Sequence, residues 1–120
     1  MWSKLEEVFE KIGLPYDRQG SYSDESEYPK SFFTFWNPNT KEGAFYDNEA
    51  HTAEWHWNVN YYTSDPATLY SQMDEFIAVA KEAGFVVEGR GYDIASDRVD
   101  YPGRMVRVIY LEEYQNEKEV

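Results

Sequence analysis

Within the stretch 53–62 the chain alternates from Ala53 to Tyr61. Trp55, Trp57, Val59 and Tyr61 are apolar or aromatic, and His56, Asn58 and Asn60 between them are polar. A period of two predicts a strand with one buried face. The period then changes. Leu69, Met73, Phe76, Ile77 and Ala80 recur at spacings of three and four, the core-facing stripe of a helix over 66–83. Asp65 is placed to cap that helix, Pro66 suits its first position, and Gly84 suits its end.

The same reading extends outward. Trp2, Leu5, Val8, Phe9 and Ile12 predict a helix over 2–12, stopped by Gly13-Leu14-Pro15. Residues 17–30 are polar and turn-rich and read as a long, acidic, mobile loop. Ser31 to Trp36 predicts a strand, Asn37 to Gly43 a turn, and Ala44 to Asp47 a short strand. Phe85 to Glu88 continues as a strand, broken or bulged at Gly89-Arg90-Gly91. Residues 93–103 read as a turn-rich connection and 104–112 as the last strand. A frayed tail is expected over 113–120.

This order predicts a single α+β domain over 1–120. It is a two-layer sandwich with a mainly antiparallel, four- to five-stranded sheet and two helices on one face. Trp55, Trp57 and Val59 should share the helix-covered side with Phe33 or Phe35, and Phe76 should be core.

Composition narrows the function. The 120 residues carry a net charge of −12 and no cysteine. Acidity of this size disfavours binding to nucleic acid and to anionic membranes, and its bland meaning is solubility. No apolar run reaches the roughly 18–20 residues that span a bilayer. Met1-Trp2-Ser3-Lys4 leads straight into an amphipathic helix, so no secretory leader is expected. Aromatic residues are abundant, 11 Tyr, 7 Phe and 4 Trp. One sheet face cannot absorb them all, so some are expected on the second face, where Tyr and Trp suit protein contact.

Catalytic chemistry finds no foothold. His51 and His56 point to opposite faces of one strand and cannot share a metal. His56 is expected on the solvent side, without a carboxylate partner. There is no Gly-x-Ser-x-Gly, and Gly89-Arg90-Gly91 lacks the third glycine of a dinucleotide fingerprint. Asp24-Glu25-Ser26-Glu27 lacks EF-hand spacing. The chain is expected to be no enzyme and to hold no cofactor or metal.

Charge is unevenly distributed. Arg90, Arg98, Arg104 and Arg107 lie late in the chain, whereas Asp24, Glu25 and Glu27 crowd the early loop and more acid follows residue 111. Arg90, Arg98 and Arg104 could meet Asp24, Glu25 and Glu27 of an identical neighbour. Salt bridges within one chain are the equal alternative.

Several motifs carry a family likeness. They are Gly13-Leu14-Pro15, Arg18-Gln19-Gly20-Ser21, Tyr28-Pro29 with Ser31 to Asn37, and Asn58 to Tyr62. Ala83-Gly84-Phe85, Gly91-Tyr92-Asp93 with Ala95-Ser96-Asp97, and Gly103-Arg104 continue it. Together, over about residues 12–112, they resemble short phage and prophage proteins of Gram-positive bacteria, encoded among head–tail connection and tail genes. These are similar to siphophage tail-terminator or tail-completion proteins, small α/β proteins that form a ring where the tail tube joins the head. The resemblance implies a non-enzymatic virion-assembly subunit. It would form a homo-oligomeric ring yet can stay monomeric in dilute solution, and it would contact other tail or connector proteins. It would act in the host bacterial cytoplasm and then in the virion. The runner-up is a small ligand- or protein-binding module using the Trp55/Trp57 face, recognised by an aromatic pocket with convergent polar groups.

Overall fold

The computed structural model describes residues 2–18, 29–46, 49–95 and 101–113, and the side chains among them except those of 2, 42–46, 49–51 and 113. Helix α1 spans Trp2–Ile12 and buries Leu5, Val8 and Phe9. Gly13 ends it at φ +82°, donating its N–H to the Phe9 carbonyl at 3.0 Å.

The second helix begins as the sequence predicts. The Asp65 carboxylate accepts the Ala67 N–H at 3.1 Å over a 3₁₀ turn, Pro66–Thr68, which leads into α2, Leu69–Glu82. Leu69, Met73, Phe76, Ile77 and Ala80 are its buried stripe. Its end is a Schellman closure. Phe85 N–H reaches the Ala80 carbonyl at 3.0 Å, Gly84 N–H reaches that of Lys81 at 3.1 Å, and Gly84 supplies φ +97°. Phe85 then turns into the core.

Five strands form one mixed sheet: β1 Tyr16–Arg18, β2 Ser31–Tyr46, β3 Glu49–Thr63, β4 Val86–Ile94 and β5 Gly103–Glu113, in the order β1-β2-β3-β5-β4. The fold is α+β, with both helices contributing to one core against one sheet face. Phe9, Phe33, Phe35, Trp57, Val59, Tyr61, Phe76, Val106 and Val108 form its centre. The Phe9 ring lies 5.3 Å from Phe33 and 5.7 Å from Phe76. Trp57 meets Phe35 edge-on at 6.1 Å, and Trp55 stacks on Trp57 at 6.2 Å. Trp55, Trp57 and Val59 therefore lie on the helix side, with Phe33 and Phe35.

Three local expectations need correction. Residues 16–18, which adjoin or open the expected loop, form β1 and pair in parallel with Phe33, Thr34 and Phe35. Residues 37–43 are not a turn between two strands. β2 runs through them, and the register with β3 slips by one residue between Trp36 and Asn39. Pro38 has no N–H to contribute and is tolerated at that bulge. Asn37 holds the bulge by donating its amide to the Asn39 carbonyl at 3.0 Å and the His56 carbonyl at 2.6 Å. Finally, β4 does not stop at Glu88. Pairing with β5 lapses after Glu88, resumes at Tyr92 with Met105, and continues to Ile94, so the expected 93–103 connection begins later. Gly89 and Gly91, at φ +68° and +86°, carry the chain through this expected bulge.

Candidate functional site

The sheet face away from the helices holds the residues that the core leaves unexplained. Cross-strand register puts Phe32, Thr34 and Trp36 of β2 on it, with His56, Asn58, Asn60 and Tyr62 of β3. The same face carries Met105, Arg107, Ile109 and Leu111 of β5 and Val86, Glu88 and Tyr92 of β4.

Its centre is polar and buried. Thr34, Asn58 and Asn60 are 4 %, 2 % and 4 % exposed. Buried polar groups need partners. Asn60 donates to the Thr34 hydroxyl at 3.2 Å, and Arg107 Nε donates to Asn58 Oδ1 at 3.0 Å. His56 corrects the sequence expectation twice. It is buried, and its Nε2 lies 3.3 Å from Glu54 Oε1. Residues two apart on a strand share a face, and that spacing supplies the carboxylate.

The rim of this face is apolar and open. Phe32 packs against Tyr62 and Tyr101 at one end, with ring centroids 5.4 and 6.0 Å apart. Trp36, Val86, Tyr92 and Leu111 remain 42 %, 64 %, 58 % and 53 % exposed. Among the described residues only one other large hydrophobic side chain, Tyr70, is comparably exposed, and it belongs to the helical layer. A depression of about 190 Å³ lies at the β4 bulge, lined by Glu88, Gly91, Tyr92, Met105, Val106 and Arg107.

The arginines expected at a subunit interface are engaged within the chain where the structure describes them. Arg104 donates to Asp93 at 2.7 Å and to the carbonyls of Arg90 and Gly91 at 3.1 and 3.0 Å. Its guanidinium also lies 4.9 Å from the centre of the Tyr70 ring. Tyr70 donates its hydroxyl to Asp93 at 2.8 Å, and Arg90 reaches Asp74 at 2.9 Å. Together these contacts tie the β4 bulge to α2, the intrachain alternative for Arg90 and Arg104. Arg98, Asp24, Glu25 and Glu27 lie outside the described residues, as do residues 19–28, the tail from Tyr114 and the His51 side chain.

The hydrogen bonds from Tyr70 and then Arg104 hold the Asp93 carboxyl below its ordinary pKa. The same carboxylate raises that of the Tyr70 hydroxyl. A lowered carboxyl pKa gives stability above the unfolded value and loses it as pH falls through the folded one. Asp93→Asn is therefore expected to lose less of its melting temperature than wild type when acidified through and below the ordinary carboxylate range. Equal pH slopes in thermal melts would show that this clamp contributes nothing.

Among the described residues no three His, Cys, Asp or Glu side chains converge as a metal site, and no helix is long and apolar enough to cross a membrane. The chain matches no family model and no curated protein. Sequence reading missed Trp36, Val86, Tyr92 and Leu111 as a group. The available signal was the second apolar series on the strands, Phe32 with Trp36 and Met105 with Ile109 and Leu111, opposite in phase to the core series.

Proposed function

We propose that this protein is a non-enzymatic virion-assembly subunit of a phage or prophage, a tail-terminator or head–tail joining protein that acts by closing into a ring. The observation that carries the reading is the helix-free sheet face, where Trp36, Val86, Tyr92 and Leu111 stay exposed around a hydrogen-bonded polar centre. Large exposed apolar groups rimming one face are the mark of a protein contact. The occupant of that face is another tail or connector protein, and copies of this chain stand side by side. The likeness of the sequence motifs to phage tail-completion proteins supplies the biological setting. A net charge of −12 suits a channel wall past which DNA slides, because phosphates are repelled from it.

The ligand-binding alternative has less support. The Trp55/Trp57 face it would use is packed beneath the helices, with Trp57 buried in the core and Trp55 packed against it. Deleting the gene from an inducible prophage tests the assembly reading. Electron microscopy of the lysate is expected to show over-long tails or tails unattached to full heads, and normal infectious particles would overturn it.

A further inference from the structure

One row crosses the middle of the helix-free face, Trp36–Asn58–Arg107–Glu88. Its arginine is unlike those at the β4 bulge. Arg90 and Arg104 each form an ion pair with an aspartate. Arg107 has a single hydrogen bond, from Nε to Asn58 Oδ1 at 3.0 Å. Among the described residues it forms no ion pair, not even with Glu88, its direct cross-strand neighbour. A guanidinium carries five N–H donors, so the four on its terminal nitrogens have no partner among the described residues. The bond to Asn58 has two consequences. Asn58 is buried, so it holds the guanidinium in place over the sheet, and little side-chain freedom remains to be lost on binding. It also occupies the Nε side and leaves the end-on fork of terminal nitrogens, which matches the two oxygens of a carboxylate.

The surroundings suit a carboxylate carried by a protein. Among the described side chains, the register puts Lys41, Glu54, Arg107 and Glu88 on this face, two of each sign in a chain of net charge −12. Glu54 is held by His56 at 3.3 Å. One acidic side chain can therefore approach here, whereas the overall charge disfavours a nucleic acid. Exposed Trp36 and Tyr92 stand on opposite sides of Arg107, on β2 and β4. Trp, Tyr and Arg are the residues that dominate contact energy when they gather near the centre of an interface. The depression at the β4 bulge borders Arg107 and gives a side chain of the partner room to enter. We infer that Arg107 is the anchor of this face and receives an aspartate or glutamate side chain of the tail or connector protein docked on it. The contact rests on the assembly reading above and gives the partner a chemistry. Trp36 and Tyr92 exclude water around the charge pair. Glu88 repels a partner that sets a second acid over β4, so the row selects register as well as partner.

Three variants in an inducible prophage, with the gene deletion beside them, test the anchor. Arg107→Gln keeps an amide donor for Asn58 but removes the cation. The purified variant should melt within about 3 °C of wild type, while the infectious titre should fall at least about tenfold. Arg107→Lys keeps the charge and should recover part of that titre. Arg107→Glu should block particle formation, and revertants selected from it should carry an Asp or Glu changed to Lys or Arg in another virion gene. This selection reads the contact itself, whatever the variant does to stability. Revertants confined to this chain's own acidic residues, or none in another virion gene, would overturn the partner carboxylate. Wild-type protein that dimerises in sedimentation, with Arg107→Gln monomeric, would overturn it in favour of a second copy. Normal titres from all three variants in a prophage that the deletion disables would overturn the anchor and leave the assembly reading standing. A normal titre from the deletion would overturn both.

Discussion

Replacing Phe76 with alanine is expected to lower the unfolding free energy by about 3–5 kcal/mol. Phe76 is fully buried on α2, and its ring centroid lies 5.7 Å from Phe9 of α1 and 5.4 Å from Phe33 of β2. It is therefore where both helices and the sheet meet. Truncation removes its transfer free energy and leaves a cavity between aromatic rings that cannot all collapse into the space. Domains of this kind are stable by only about 5–15 kcal/mol, so the variant should be close to marginal. Urea unfolding followed by tryptophan fluorescence would measure the loss. Leu111→Ala, on the exposed rim, should stay within about 0.5 kcal/mol of wild type. A loss below about 1 kcal/mol for Phe76→Ala would mean that the helical layer is not packed as described.

The second large effect is expected from one methyl group at the β4 bulge. Gly91 sits at φ +86°, and a Cβ there would lie 2.4 Å from the Met105 carbonyl oxygen. The obstacle is backbone of the paired strand, so it cannot rotate away. Gly91→Ala should cost about 2–4 kcal/mol, combining left-handed strain with forced displacement of β5. Gly89 makes the control. It has φ +68° but nothing within 4 Å of its would-be Cβ, so Gly89→Ala should lose only the conformational term, about 1–2 kcal/mol. Thermal or urea unfolding of the two variants side by side decides the matter, and equal losses would refute the close approach at Gly91.

The bulge also explains why so little of the arginine chemistry was legible beforehand. Late clustering of Arg90 and Arg104 is visible in the sequence, but their partners are set by how β4 returns along β5. Arg104 meets Asp93 because the register resumes two residues out of phase after Glu88. Tyr70 joins them only because α2 packs beside that edge. His56 follows the same logic. Alternation correctly separates it from Trp55 and Trp57, but does not reveal that the helix-free face is itself largely closed at its centre, with Asn58 and Asn60 buried beside it.

By itself the sequence determined what depends on neighbours a few residues away. The change of period after Tyr61, the Asp65 cap with Pro66, the stops at Gly13 and Gly84, and the membership of the helix-side core all follow from local spacing and backbone preference. The tertiary structure decided what depends on a partner strand. Tyr16–Arg18 is a strand only because it lies against Phe33–Phe35, and Asn37-Pro38-Asn39 stays within β2 because β3 accepts a one-residue slip there. Among the described residues β1 pairs only as far as Arg18 opposite Phe35, and β4 begins at Val86 opposite Ile109. Strand pairing is a non-local contact whose register is fixed by the packing of the whole sheet, so no short window of sequence carries it.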